Sequence, residues 1–552
     1  MLKITALLGL LLCGTVANAD NNRPNFILIL TDDQSYGYLG VTGNPVVKTP
    51  NIDALAERGT LFTNAHVSSS PICTPSRVSL LLGQFERKHG VNFNSGTAVS
   101  ERAWENSYPM IMRRAGYFTG WIGKNHSPIG EGGYSSGVME RSFDYWYAAH
   151  GHLRFYPKQS HKIFKDAQSD TQIEIISEGV GDFLDNNETK MRNAIRFLDE
   201  RPADKPFMLS INLNLPHGSS TSTMRMRPTD DEIYRTLYRD VDIPLPPNYV
   251  AKADIVEPKL PKDLLRAEDR QTGYDYVDTP ETVRERLIRE YQSMTGIDRL
   301  VGRLVEKLKK VGIEDNTVLI FTSDHGLFSG EYGLGGKALC YEKTSHVPII
   351  IYDPRIHADS VVPRSDALVQ TLDISATMLA MAGIPIPATY QGENIVGLLD
   401  GKQRETQRDY TYTENLWSTH FGNPRCEAVQ DKEWKYIRYY KNQTFSALKE
   451  SATASALGIP QNEMLYRVHD PDIAVYRHYI DSSLQGEEPV YEELYHIGED
   501  PLEEKNLIGK RKYRKLVATL REAWAESIVK ARGEGAPEVV RYTFDVSPSE
   551  PD

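Results

Sequence analysis

Four short apolar runs, each breaking directly into a polar cluster, constrain the fold of this chain more than any other feature. Residues 25–31 (NFILILT) run into Asp32 and Asp33, and residues 118–123 (FTGWIG) run into Lys124, Asn125 and His126. Residues 207–213 (FMLSINL) lead to Pro216 and His217, and residues 318–323 (VLIFTS) end in Asp324, His325 and Gly326. Apolar side chains at consecutive rather than alternate positions mark a strand covered on both faces. Helical patterns lie among these runs: residues 51–58, stopped by Gly59; a periodic stretch through Leu287, Tyr291, Leu300, Leu304 and Leu308, stopped near Gly312; and residues 373–382, stopped by Gly383. Strands alternating with helices predict an α/β fold, a mostly parallel sheet sandwiched by helices. Ligands of such sheets lie beyond the carboxyl ends of the strands, so the four polar tips are expected to converge there.

At 552 residues and 40% hydrophobic content, the chain is too long for one ordinary domain. After about residue 405 the pattern changes to aromatic, alternating segments such as Tyr410-Thr411-Tyr412-Thr413 and Tyr436-Ile437-Arg438-Tyr439-Tyr440. An amphipathic helix follows over about 511–529, with Leu516, Leu520, Trp524 and Ile528 on one side. The expected organisation is a catalytic domain over 24–405 and a smaller C-terminal α+β subdomain with an antiparallel sheet over 406–552. The polar segment from Gly218 to Thr279 reads as an insertion at the mouth of the site.

Lys3, the apolar run from Leu7 to Leu12 and Ala17-Asn18-Ala19 read as a cleaved signal peptide over 1–19, placing the mature protein in the periplasm or outside the cell. No run is long enough to span a bilayer. A formal net charge of -12 with no basic run argues against nucleic acid as a partner. Without the signal only Cys73, Cys340 and Cys426 remain, too few for a disulfide framework. Cys340 and Cys426 either pair or stay buried and free; the second is expected, because neither has a local partner.

In Cys73-Thr74-Pro75-Ser76-Arg77, Thr74 can cap and Pro75 is preorganised for a first helical turn, so Cys73 stands at the positive end of a helix. An anion held there meets free backbone N–H groups, and Arg77 adds a fork suited to sulfate or phosphate oxygens. Asp32, Asp33 and Asp324 form a hard oxygen set for a divalent cation, for which calcium fits, although His325 would be an unusual ligand for it. Lys124 and His126 are two apart beyond a strand and point to the same side if extended. His217 and Lys337, the latter in Gly335-Gly336-Lys337, each read alone as surface residues.

Taken in order, Asp32-Asp33, Cys73-Thr74-Pro75-Ser76-Arg77, Gly123-Lys124-Asn125-His126, Pro216-His217, Ser323-Asp324-His325-Gly326, Lys337 and Ser345-His346-Val347-Pro348 resemble the type I, formylglycine-dependent sulfatases of the alkaline-phosphatase superfamily. The pattern is most similar to that of iduronate-sulfatase-like and bacterial polysaccharide sulfatases. Glu493-Leu494-Tyr495-His496-Ile497, Asp500-Pro501 and Asn506-Leu507 carry the resemblance into the C-terminal region. It implies an alkaline-phosphatase-like fold and a Cys73 converted to formylglycine, whose hydrate is the nucleophile. It also implies one Ca2+ on Asp32, Asp33, Asp324, His325 and an oxygen of modified residue 73. Arg77, Lys124 and Lys337 would hold the sulfate and the modified side chain, His126 would assist aldehyde regeneration, and His217 would protonate the departing sugar oxygen. The implied partners are a formylglycine-generating or anaerobic maturation enzyme and a sulfated carbohydrate. Asn125, where many members carry an aromatic residue, and His325, where asparagine is more common, depart from the family pattern.

The expected activity is therefore hydrolysis of sulfate esters on a polysaccharide or oligosaccharide by an exported sulfatase; algal galactans such as carrageenan and host glycosaminoglycans both fit, with an algal substrate favoured. His150, His152, Arg154, Arg225, Arg227, Trp417 and His420 are candidates for gripping sugars or neighbouring sulfates. The alternatives are a phosphonate or phosphate monoester hydrolase of the same superfamily and, further off, a non-catalytic glycan-binding homologue.

Overall fold

The computed structural model describes residues 23–149 without 94, 96, 134 and 135, together with 193–217, 233–262, 264, 275–417, 423–441 and 475–541. The four apolar runs become strands β1 (Asn25–Asp32), β4 (Phe118–Lys124), β6 (Phe207–Pro216) and β7 (Thr317–Ser323), and they are direct neighbours in the spatial order β7-β1-β6-β4. All three pairings among them are parallel, with Leu30 opposite both Thr322 and Asn212, and Ile122 opposite Ile211. Their polar tips therefore share one edge of the sheet.

Around this centre lie β2 (Thr60–His66), β5 (Tyr145–Ala149), β10 (Ile349–Tyr352) and β11 (Arg364–Gln370), giving an eight-stranded sheet in the order β11-β2-β10-β7-β1-β6-β4-β5. β10 runs antiparallel to both of its neighbours, so the sheet is mostly parallel. Two short ribbons sit outside it: β3 (Thr97–Val99) with β16 (Val539–Arg541), and β8 (Phe328–Ser329) with β9 (Gly335–Gly336).

Alternation along the central strands builds two cores. Ile27, Ile29, Leu209 and Ile211 pack on one face against Leu287, Met294, Ile297 and Leu304 of the helix Pro280–Lys310. Phe26, Leu28, Leu30 and Ile320 pack on the other against Val78 and Leu81 of the helix Cys73–Leu82 and Ile374 and Met378 of the helix Asp373–Met381. Each fully buried side chain of this kind contributes about 1.5–3 kcal/mol relative to exposure. The long helix starts earlier than its apolar period alone indicates, because Thr279 caps it, a proline occupies its first turn and Glu281 faces the positive end. No described helix is long and apolar enough to cross a membrane.

The aromatic segments form an antiparallel sheet of β12 (Thr411–Asn415), β13 (Arg425–Gln430), β14 (Trp434–Tyr440) and β15 (Tyr491–His496). Leu520, Trp524 and Ile528 of the helix Arg514–Arg532 cover Tyr412, Val429, Tyr436 and Leu494 on one face of it.

Gly123, just before Lys124, has φ +96°, and a Cβ there would lie 2.0 Å from the backbone oxygen of Asn212. Gly123→Ala is thus expected to destabilise the fold by about 3 kcal/mol or more, read as an earlier urea midpoint, because neither the backbone angle nor the facing strand can yield cheaply.

Candidate active site

The shared edge gathers the predicted polar residues around Cys73, which opens the helix Cys73–Leu82 and is 1% exposed. Its Sγ lies 3.3 Å from Asp32 Oδ1, 3.3 Å from His325 Nε2 and 3.4 Å from Lys337 Nζ. Lys124 pairs with Asp32, and Lys337 Nζ donates to Asp33 Oδ1 at 2.9 Å. Arg77 Nε donates to Asp324 Oδ2 at 2.9 Å, with Nη2 4.0 Å from Asp32 Oδ1. His217 Nε2 lies 3.6 Å from Asp33 Oδ2, and His126 meets the Phe93 ring edge-on. Asp33 (φ 63°), His126 (φ 46°) and Ala338 (φ 71°), the residue after Lys337, all hold left-handed backbone angles. Such angles cost free energy at non-glycine residues and cluster at sites where side chains must be aimed.

The residues fit a cation beside an oxyanion. Asp32, Asp33, Cys73 and His325 each present a ligand atom, all within 4.8 Å of one another. His325 Nδ1 lies 2.9 Å from the Gly326 carbonyl and so carries the proton, leaving the Nε2 lone pair facing Asp33 Oδ1 at 3.3 Å. Asp33 Oδ2 is buried without a hydrogen-bond partner, an acceptor suited to a metal; Arg77 Nη1 and Nη2 are likewise buried without partners, donors suited to an anion. Asp324 stands outside the four-residue set. Arg77 takes its Oδ2, and its Oδ1 accepts from the Asp33 N–H at 3.2 Å.

Burial, reinforced by Asp32, pushes the Cys73 thiol far above its ordinary range. Burial and then Lys124 and Arg77 hold His126 well below its usual value; burial and then Lys337 and Lys124 do the same to His217. Burial disfavours the Asp324 carboxylate, but His325 and Arg77 outweigh it and hold the carboxyl low.

Of the sugar-gripping candidates, His150, His152, Arg154, Arg225, Arg227 and His420 lie outside the described residues. Trp417 is not an exposed platform. It is 2% exposed and packs against Tyr476 and Tyr479, so it is a core residue. Cys340 and Cys426 are buried free thiols, as expected, and although 86 positions apart in the sequence their sulfurs lie 3.3 Å from each other.

Two positioning residues escaped the sequence reading. Asn423 donates to the Lys337 carbonyl at 3.1 Å and Asn415 to the Ala338 carbonyl at 3.0 Å, so the edge of the antiparallel sheet fixes the loop that aims Lys337. His66, Glu342 and His346 form a second group of metal-ligand type. The two imidazoles are stacked, with centroids 5.0 Å apart at 24°; His66 Nε2 and His346 Nδ1 both face the Glu342 carboxylate, at 3.1 Å and 3.3 Å, and Lys435 holds Glu342 Oε1 at 2.6 Å, so the carboxylate is already engaged. That group is an ion-pair joint between the two sheets.

The geometry agrees with the comparisons. The Sulfatase family model matches residues 24–384, and the model for the C-terminal part of N-sulphoglucosamine sulphohydrolase matches residues 330–453. The N-acetylglucosamine-6-O-sulfatase of Bacteroides thetaiotaomicron is 26% identical over 490 residues, 79% of this chain and 82% of that protein. The ulvan-active sulfatase of Formosa agariphila is 28% identical over 444 residues, 77% of this chain and 75% of that protein. Among solved structures, BT4656 in complex with its substrate D-glucosamine-2-N,6-O-disulfate superposes with a TM-score of 0.64 at 20% identity, covering 94% of this chain and 99% of that one. With the family matched across the central sheet and its polar edge, this chain belongs to the sulfatase family and is a sulfuric ester hydrolase.

Proposed function

We propose that this chain is an exported enzyme that removes sulfate from a sulfated carbohydrate, using residue 73 as formylglycine. The observation that carries this reading is a cysteine at the head of a helix, in contact with Asp32, His325 and Lys337, whose thiol is driven away from ionisation. A cysteine acting as its own nucleophile needs the opposite, a depressed pKa. Converted to the aldehyde, residue 73 supplies a hydrate oxygen for attack and a second hydroxyl through which the carbonyl re-forms. Asp32, Asp33 and His325, with Asp324 beside them, would hold a calcium ion, which supplies positive charge to the reacting oxygens.

The remaining work falls to the chain itself. Arg77, whose guanidinium has two buried donor nitrogens to spare, orients the sulfate oxygens, and Lys124 and Lys337 neutralise charge as it spreads from sulfur. Burial of all three excludes water and strengthens each contact. His217 delivers the proton to the departing sugar oxygen, its imidazolium favoured only once an anionic ester offsets Lys337 and Lys124. His126, on its strained turn, takes the proton on aldehyde regeneration. Residues 24–405 form the catalytic unit in this reading and 406–552 a subdomain that braces it.

The glycan assignment is supported by relatives that act on N-acetylglucosamine sulfate and on ulvan at comparable distance. Two measurements test the reading. Peptide mass analysis of active enzyme is expected to show the aldehyde at position 73, and a panel of sulfated algal and glycosaminoglycan oligosaccharides, read by NMR, is expected to yield desulfated product. Full activity with only thiol at position 73, or faster turnover of an aryl phosphate than of its matched aryl sulfate, would sink it.

A further inference from the structure

Cys340 and Cys426 are both fully buried, with Sγ atoms 3.3 Å apart, in the small core that joins the Lys337 loop to the antiparallel sheet. Cys340 follows Lys337 by three residues, and Cys426 lies on β13. The contacts are reciprocal: Cys340 Sγ approaches the Thr413 carbonyl at 3.7 Å, and Cys426 Sγ approaches the Ala338 carbonyl at 4.0 Å. The same two segments are already joined by Asn415 and Asn423, which donate to the carbonyls of Ala338 and Lys337. The two thiols thus cross-brace the loop that carries an active-site cation.

We infer that Cys340 and Cys426 are a modification site, oxidised to a disulfide while the chain folds, so that a covalent strap ties the Lys337 loop to the C-terminal sheet. Reaching a bonded separation near 2.05 Å requires the sulfurs to close by little more than about 1 Å, within reach of side-chain rotation. The oxidant is a disulfide, carried by a small thiol or by an oxidoreductase. One cysteine thiolate attacks a sulfur of that disulfide, which breaks and releases one thiol with formation of a mixed disulfide. The second cysteine thiolate then attacks the mixed disulfide, forms the Cys340–Cys426 bond and releases the second thiol. Two electrons pass to the oxidant, and the two cysteine protons end on the thiols it becomes.

The packing also dates the reaction. Burial holds the Cys340 thiol well above its ordinary value, and Tyr341, Tyr439 and Tyr495 close over the pair, so the folded core offers neither a thiolate nor room for an oxidant. Oxidation must precede that closure. Cys73, whose sulfur neighbours are Asp32, His325 and Lys337, takes no part in that bond and stays available for its own conversion.

The test refolds the full chain from reductant and denaturant in a buffer of reduced and oxidised glutathione, beside a sample refolded in dithiothreitol. Each is acid-quenched, alkylated with N-ethylmaleimide in denaturant, weighed intact and mapped by peptide. The glutathione sample is expected to carry two fewer adducts, to yield linked Cys340 and Cys426 peptides, and to melt several degrees higher. A chain folded reduced and only then given oxidised glutathione is expected to form the bond at least tenfold more slowly. The double variant C340S/C426S is expected to melt identically in the two buffers. The same map on chain produced in an oxidising compartment, with no refolding step, reads the same outcome independently. Adducts at both Cys340 and Cys426 after oxidative folding would overturn the inference. So would a link from Cys73 to either, or a double variant that keeps the wild-type buffer dependence.

Discussion

Cys73→Ala is expected to lower kcat/KM toward an aryl sulfate by at least about 10⁴-fold, the scale on which removal of a covalent nucleophile acts in enzymes of this kind. The loss should be chemical rather than structural. The remaining groups, Arg77, Lys124, Lys337, Asp32 and Asp33, are anchored by one another and by three different strands and loops, so the site survives without the sulfur. Inhibition by inorganic sulfate is therefore expected to persist within a few-fold of wild type, and the thermal midpoint to move little. Wild-type chain left unconverted should behave like the variant, because burial and Asp32 keep its thiol protonated at neutral pH. Residual activity above about one per cent in the alanine variant would mean that the nucleophile lies elsewhere.

The parts of this site legible in the sequence share a physical cause. A strand buried on both faces must be apolar throughout, so the point where Asp32, Lys124 or Asp324 interrupts the run is visible without a structure, and parallel pairing then forces those points together. Strands without that property were harder to see. β11 alternates exposed and buried positions at its start, and β10 is only four residues long and antiparallel. Contacts made across long sequence separations left no local signal at all. Asn423 reaches Lys337 across 86 positions, and Cys340 meets Cys426 across the same span. Trp417 misled because an aromatic residue after a strand reads equally as a sugar platform or as a core residue, and only the arrival of Tyr476 and Tyr479 decides. Asp324 was correctly placed at the edge, but its carboxylate is drawn to Arg77, a choice set by guanidinium geometry that spacing does not encode.

Arg87→Met is expected to destabilise the chain by about 3–5 kcal/mol, because it strands buried charge. Arg87 is fully buried in the short helix Glu86–His89, on the side of the central sheet that faces the C-terminal unit. Its Nε donates to Glu414 Oε2 at 3.0 Å and its Nη2 to Glu427 Oε1 at 2.5 Å; Nη1 reaches the Ile480 carbonyl at 2.6 Å and Ser483 Oγ at 3.1 Å. One guanidinium thus satisfies groups on β12, on β13 and on the helix Val475–Ser482. Methionine fills similar space and offers no donor, leaving two carboxylates in a dry interior. Lysine keeps the charge but cannot fork, so Arg87→Lys should fall between. The pH dependence separates this cause from lost packing. Burial raises the Glu414 pKa and Arg87 pulls it back down, so in the methionine variant it rises further. A carboxyl whose folded pKa lies above its unfolded one contributes stability that is present at low pH and lost as pH rises through the folded value. The deficit of Arg87→Met relative to wild type should therefore be greatest at neutral pH and above and shrink on acidification, read as urea midpoints followed by tryptophan fluorescence. A deficit independent of pH would assign the loss to volume rather than charge. Replacing Arg87, Glu414 and Glu427 together by apolar residues should then recover most of the loss, since no unpaired charge would remain.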